Sequence, residues 1–108
     1  MPYKTIISEK DLKNNINNKD FIIFDSRCDI KDRGYGIDSY TEGHIENSIF
    51  VDVDTDLASE KQQGTGRHPL PKVETFCDKL SHWGMDNNKQ AVIYDDAGGA
   101  FAGRMWWM

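Results

Sequence analysis

The sequence has 108 residues, 38% of them hydrophobic and 29% charged, with a formal net charge of −5. That is enough chain for one modest domain, and the acidic balance argues against nucleic acid or an anionic membrane as default partners. No apolar run approaches the ~20 residues that span a bilayer. The first ten residues gain charge too quickly for a secretory signal, and Cys28 and Cys77 lie far apart with no CxxC spacing, so both are expected as reduced thiols in a cytoplasmic protein.

Lys4 to Ile7 is a short apolar run that predicts a first strand. Ser8 can cap the helix that follows, with Asp11 three residues on, and the Asn14-Asn15 and Asn17-Asn18 pairs end that helix early. Phe21-Ile-Ile-Phe24 is continuous rather than alternating, as in a strand buried on both faces of a parallel sheet, and it ends in Asp25-Ser-Arg27. Cys28 to Ile45 is polar and carries Gly34, Gly36 and Gly43, which predicts a long loop with at most one helical turn. Ser48 to Val53 resumes strand character, and Leu57 to Gly66 is again loop. Past Pro71, residues Val73, Phe76, Cys77, Leu80 and Trp83 share one helical face, with Gly84 at the position just beyond the end. After the turn Asp86-Asn-Asn88, Ala91 to Tyr94 is a β-rich apolar run. It leads through Asp95-Asp-Ala-Gly-Gly-Ala into Phe101, Ala102, Met105 and Trp106, spaced as a helix. Strands alternating with helices predict an α/β fold with a parallel sheet, whose ligands lie at the carboxyl ends of the strands.

Several motifs admit a plain reading. Asp25 and Arg27 at the end of a buried strand read better as a structural ion pair than as a substrate-anion site, because buried charges persist when paired. Asp52, Asp54 and Asp56 have the spacing that opens a calcium loop, but Leu57 and Gln63 stand where glycine and glutamate are needed. His44, His68 and His82 share no ligand spacing, so neither metal nor cofactor is expected. His68, held between Arg67 and two prolines, is placed rigidly enough to do more than pack. The glycines after Asp95-Asp96 match neither a dinucleotide nor a P-loop fingerprint. That loop also lacks Cys, Ser, Thr and His, so no nucleophile of the usual kind stands in it; the two carboxylates suit either acid–base work or a turn.

In order along the chain, these motifs resemble the N-terminal domain of a two-domain rhodanese-type sulfurtransferase, the group of the thiosulfate and 3-mercaptopyruvate sulfurtransferases. Phe21-Ile-Ile-Phe-Asp-Ser-Arg27 is similar to the family's strand ending in Asp-x-Arg, and Tyr40-Thr-Glu-Gly-His-Ile45 to its Tyr-x-x-Gly-His-Ile signature, followed by Ser48-Ile-Phe-Val-Asp52. Gly66-Arg-His-Pro-Leu-Pro71 and Val92-Ile-Tyr-Asp95 with Ala102-Gly-Arg-Met-Trp-Trp107 resemble the N-terminal domains in particular. Glu46-Asn47 departs from the family's Pro-Gly and is expected to loosen that turn.

The resemblance implies a rhodanese-like three-layer α/β fold over residues 1–108 with a mainly parallel central sheet, here lacking its last strand and helix. It implies a cysteine directly after the strand Ala91–Tyr94, cradled by loop amides and a helix start that lower its pKa; Asp95 stands there instead. The domain is therefore expected to be catalytically silent, supporting a second rhodanese domain that carries the cysteine. Rhodanese-like phosphatases carry Cys-x5-Arg, and Asp95 and Phe101 occupy those two places. Asp54 and His68 match an interdomain acid–histidine pair, while Asp25, Arg27, Gly43 and His44 form the structural motif. The resemblance also implies a slot beside Ala91–Tyr94, to be filled by a second copy, an exchanged strand or a rearranged terminus. A stand-alone interaction module presenting Trp106 and Trp107 is the alternative.

Overall fold

The computed structural model describes residues 5–29, 31–59 and 69–108. Its elements are α1 (Glu9–Asn14), β1 (Phe21–Asp25), α2 (Tyr35–Glu42), β2 (Ile49–Phe50), α3 (Val73–His82), β3 (Gln90–Tyr94) and α4 (Ala102–Trp107). The strands form one parallel sheet in the order β2-β1-β3, the α/β arrangement that the alternation of elements predicts. Phe24 of β1 lies opposite Ile49 of β2 and Ile93 of β3, so the central strand buries its apolar run between two neighbours. Phe24, Val51, Val53, Leu57 and Met105 form the core, with Phe76 and Leu80 of α3 and Trp83 at its end packed against it. Trp83 meets Phe24 edge to face at 5.5 Å between ring centroids, a favoured aromatic geometry.

Local chemistry sets the element ends. The Ser8 hydroxyl accepts the Asp11 amide at 3.1 Å and starts α1, as its sequence predicts. α3 closes with the Gly84 amide on the Ser81 carbonyl and the Met85 amide on the Leu80 carbonyl. That double closure needs a left-handed residue, and Gly84 supplies it at φ 88°.

Four expectations are corrected. Thr5 to Ile7 form no strand, and Ile6 is 83% exposed; Lys4 lies outside the described residues. With no described strand pairing the outer edge of β3, the run has no ladder to join. The stretch from Cys28 to Ile45 holds the two-turn helix α2, because its glycines work as helix parts rather than breakers: Gly34 and Gly43 flank it, and Gly36 lies buried inside it. β2 is only two residues long, because beyond Phe50 the Asp52 and Asp56 carboxylates accept backbone amides and curl the chain into a turn. On α3, Val73 is 73% exposed and Cys77 is exposed, so the packed face narrows to Phe76, Leu80 and Trp83.

An open apolar groove of about 670 Å³ runs along β3, with Ile6, Ile7, Leu80, Met85, Val92 and Trp106 among its walls. Among the described residues, no helix is long and apolar enough to cross a membrane.

Candidate functional site

Because all three strands are parallel, the segments that follow them leave from one edge of the sheet. Ser26 to Cys28, the turn after Phe50 and the loop after Tyr94 therefore share the end of the sheet where α/β folds place their chemistry.

The first cluster surrounds Asp25, whose side chain is fully buried. Its Oδ1 accepts the Arg27 amide at 3.0 Å, and Arg27 Nε and Nη2 lie 3.1 and 2.8 Å from Oδ2. Nη2 also donates to the Gly43 carbonyl at 2.6 Å, so the Asp-x-Arg and Gly-His-Ile motifs meet in space. The hydrogen bond to Asp25 is the main cause that raises the Arg27 guanidinium above its ordinary value. Tyr94, the register partner of Asp25 on β3, donates its hydroxyl to Oδ2 at 2.8 Å and accepts the Ile45 amide at 3.1 Å. Burial is the chief reason that its phenol titrates above the usual range. His44 stacks on Tyr40 with ring centroids 3.7 Å apart, and its Nδ1 lies 2.7 Å from the Tyr40 carbonyl oxygen. These groups are consumed by one another, which leaves the cluster little capacity to take a substrate anion.

Asn47 takes the left-handed conformation at φ 68°, which asparagine tolerates better than most residues, and its side-chain Nδ2 donates to the Ile16 carbonyl at 3.1 Å.

The second cluster is the loop between β3 and α4. Gly98 and Gly99 adopt φ of 69° and 92°, a conformation that lets successive amides point inward. The Asp95 carboxylate fills that concavity. Oδ1 accepts the amides of Ala97 and Gly99 at 3.1 and 2.9 Å, and Oδ2 those of Phe101 and Ala102 at 2.9 and 2.8 Å. Burial pushes the carboxyl up, but the four amides outweigh it and hold Asp95 below the ordinary aspartate range. The adjacent Asp96 accepts the Tyr35 hydroxyl from α2, a bond that raises the Tyr35 phenol.

The third segment carries Asp54, half-buried, with its amide donating to Asp52 Oδ1 at 2.9 Å. His68 lies outside the described residues. Cys28 is half-buried and packs on the core; burial first, then the charges of Asp54, Asp52 and Asp29, push its thiol up to about 11. Sequence reasoning missed Tyr94, which was findable, since it ends the strand beside β1.

A parallel sheet with this loop after β3 makes the chain an α/β domain with its candidate site at the carboxyl ends of the strands, and the comparisons with known proteins give its family. The rhodanese-like domain model matches residues 8–108, so the chain belongs to that family. It is 38% identical over 104 residues to "Probable 3-mercaptopyruvate sulfurtransferase" of Pseudomonas aeruginosa, covering 95% of this chain and 37% of the relative. It is 31% identical to the mitochondrial thiosulfate/3-mercaptopyruvate sulfurtransferase 1 of Arabidopsis thaliana, covering 27% of that protein. The solved 3-mercaptopyruvate sulfurtransferase from Leishmania major superposes with a TM-score of 0.90 at 31% identity, over 100% of this chain and 30% of its own. The chain thus spans between a quarter and two fifths of these relatives.

Proposed function

We propose that this chain is a catalytically silent rhodanese-like domain. It supports a second rhodanese domain, which carries the cysteine of a cytoplasmic sulfurtransferase taking thiosulfate or 3-mercaptopyruvate as donor. The observation that carries this reading is the Asp95 carboxylate seated on four loop amides, at the place where the resemblance puts a cysteine. Sulfur transfer from thiosulfate needs a thiolate to attack the outer sulfur, forming an S–S bond as sulfite leaves. Asp95 has no sulfur with which to form that bond, and its charge repels the dianion. Cys28, with a thiol near 11, is almost wholly protonated at neutral pH, and Cys77 is on α3 rather than in the loop. The donor names of the relatives support the substrate class.

The test is a thiosulfate–cyanide and a 3-mercaptopyruvate assay on the purified chain. No turnover is expected, and turnover abolished by Cys28→Ser or Cys77→Ser overturns the reading. The complementary variant, Asp95→Cys, should gain one sulfur atom by mass after exposure to thiosulfate, because the same amides would stabilise a thiolate. Asp54 and His68 complete the reading as an interdomain acid–histidine pair, with the carboxylate fixing the imidazole tautomer. Unchanged turnover of a His68→Asn variant, joined to its cysteine-bearing domain, would remove that role.

One observation favours a second reading, a stand-alone interaction module: Trp106 and Trp107 of α4 are 59% and 69% exposed, and the groove beside β3 adjoins Trp106. Adding the chain to a separately purified cysteine-bearing rhodanese domain separates the two, since a supporting domain should raise that domain's turnover and an independent module should leave it unchanged.

A further inference from the structure

The turn that follows β2 is braced from a helix it does not belong to. Its apolar residues Val51, Val53, Leu57 and Ala58 are buried, while Asp52, Asp54 and Asp56 alternate with them on the more open side. The Asp56 amide bonds the Asp52 carbonyl at 2.7 Å, and Asp56 Oδ2 accepts the Asp52 amide at 2.9 Å. Asp52 Oδ1 in turn accepts the Asp54 amide, so side chain to backbone contacts link the three acids. The turn is held by Lys79 of α3, whose Nζ donates to Asp56 Oδ1 at 2.9 Å and to the Thr55 carbonyl at 2.8 Å. Arg104 of α4 adds a bond from Nε to the Leu57 carbonyl at 2.9 Å, closing the turn from its other side.

An exposed lysine–aspartate pair does little by itself. This ammonium differs because it grips a backbone carbonyl and a carboxylate of one turn together, and that carboxylate is already committed to the amide of Asp52. We infer that Lys79 is a positioning residue for Asp54: from α3 it fastens the turn after β2 and so fixes where the Asp54 carboxylate stands at the carboxyl end of the sheet. The functional weight of this rests on the reading of Asp54 as a cleft residue given above. The geometric claim can be measured on this chain with no turnover at all.

Cys28 is the reporter, since it packs on the same core cluster as Val53 and is sensitive to the Asp54 charge. Its alkylation by neutral iodoacetamide at fixed pH, resolved from that of Cys77 by peptide mass, follows the thiolate fraction. In the native background, Asp54→Asn should speed the reaction about two- to fivefold, by removing one repelling charge. In a Lys79→Met background the same substitution should act by no more than about 1.5-fold, because the turn that carries the carboxylate is no longer braced from α3. Lys79→Arg should restore most of the native factor. The cycle cancels the direct effect of the Lys79 charge on the thiol, so what remains reports the coupling between Lys79 and the Asp54 carboxylate. Should Lys79→Met fail to fold, Asp56→Asn takes its place, breaking the ion pair while keeping the shape. An equal Asp54→Asn factor in both backgrounds, or none in the native one, overturns the proposal. Either result leaves the silent-domain reading intact, since that reading falls only to sulfur-transfer turnover.

Discussion

Asp25 at the end of β1 and Asp95 just past β3 sit on adjacent strands, yet they are satisfied by different kinds of partner. Asp25 is fully buried and held largely by side chains, the Arg27 guanidinium just past β1 and the Tyr94 hydroxyl on β3. Asp95 is partly exposed and held by four backbone amides of its own loop. A carboxylate bound by side chains is one member of a mutual arrangement, and removing it strands a cation and a phenol. A carboxylate bound by amides is the occupant of a receptor that the loop backbone would keep after the occupant is changed. Fixed scaffold and exchangeable content thus lie side by side at one end of the sheet.

That contrast can be broken in three ways. Asp25→Ala should cost about 3–5 kcal/mol of unfolding free energy, because it leaves the Tyr94 hydroxyl without its acceptor and the Arg27 guanidinium with only the Gly43 carbonyl; urea denaturation followed by tryptophan fluorescence reads it, and a loss below about 1 kcal/mol would show that water replaces the carboxylate freely. Asp95→Ala should cost less, about 1–3 kcal/mol, since the loop is open enough for water to reach the vacated amides. The same bonds set a pH dependence. The folded carboxyl titrates below its unfolded value of about 3.9, so its contribution is complete above that pH and is lost as pH falls through the lower folded value. An acid titration of stability should therefore flatten in Asp95→Ala relative to the native chain. The smallest effect is expected for Tyr35→Phe, an exposed bond between α2 and Asp96: no shift in the denaturation midpoint, but faster amide exchange in the loop from Ala97 to Ala100.

Much of this fold was legible in the sequence because its strongest signals are local. The unbroken Phe21–Phe24 and Ala91–Tyr94 runs specify buried parallel strands, and Ser8 and Gly84 mark helix ends by chemistry that acts within a turn. For Asp95 the resemblance implied only a position where a cysteine is cradled by loop amides; which four amides hold its carboxylate was not legible, since the loop turns on left-handed glycines whose spacing fits no known fingerprint. α2 was misread because Gly34, Gly36 and Gly43 each have a helical use that composition disguises. β2 was read too long because the residues that curl it, Asp52 and Asp56, act through side chain to backbone bonds that compete with a ladder. Lys79 was invisible, because its contacts join segments more than twenty residues apart.

Gly36 carries a further implication. A methyl group at that position would stand 2.3 Å from the Arg27 carbonyl oxygen and 3.1 Å from the Phe50 ring. α2 therefore rests on the end of β1 with only a hydrogen atom between them. Any side chain there must tilt or lift the helix, and Tyr35, the residue before it, is the one that reaches across to Asp96. Residue 36 thus works as a spacer gauge: its thickness, set far from the β3–α4 loop in sequence, decides whether the helix can latch that loop, so a change that never touches the loop would still register in how tightly it is held.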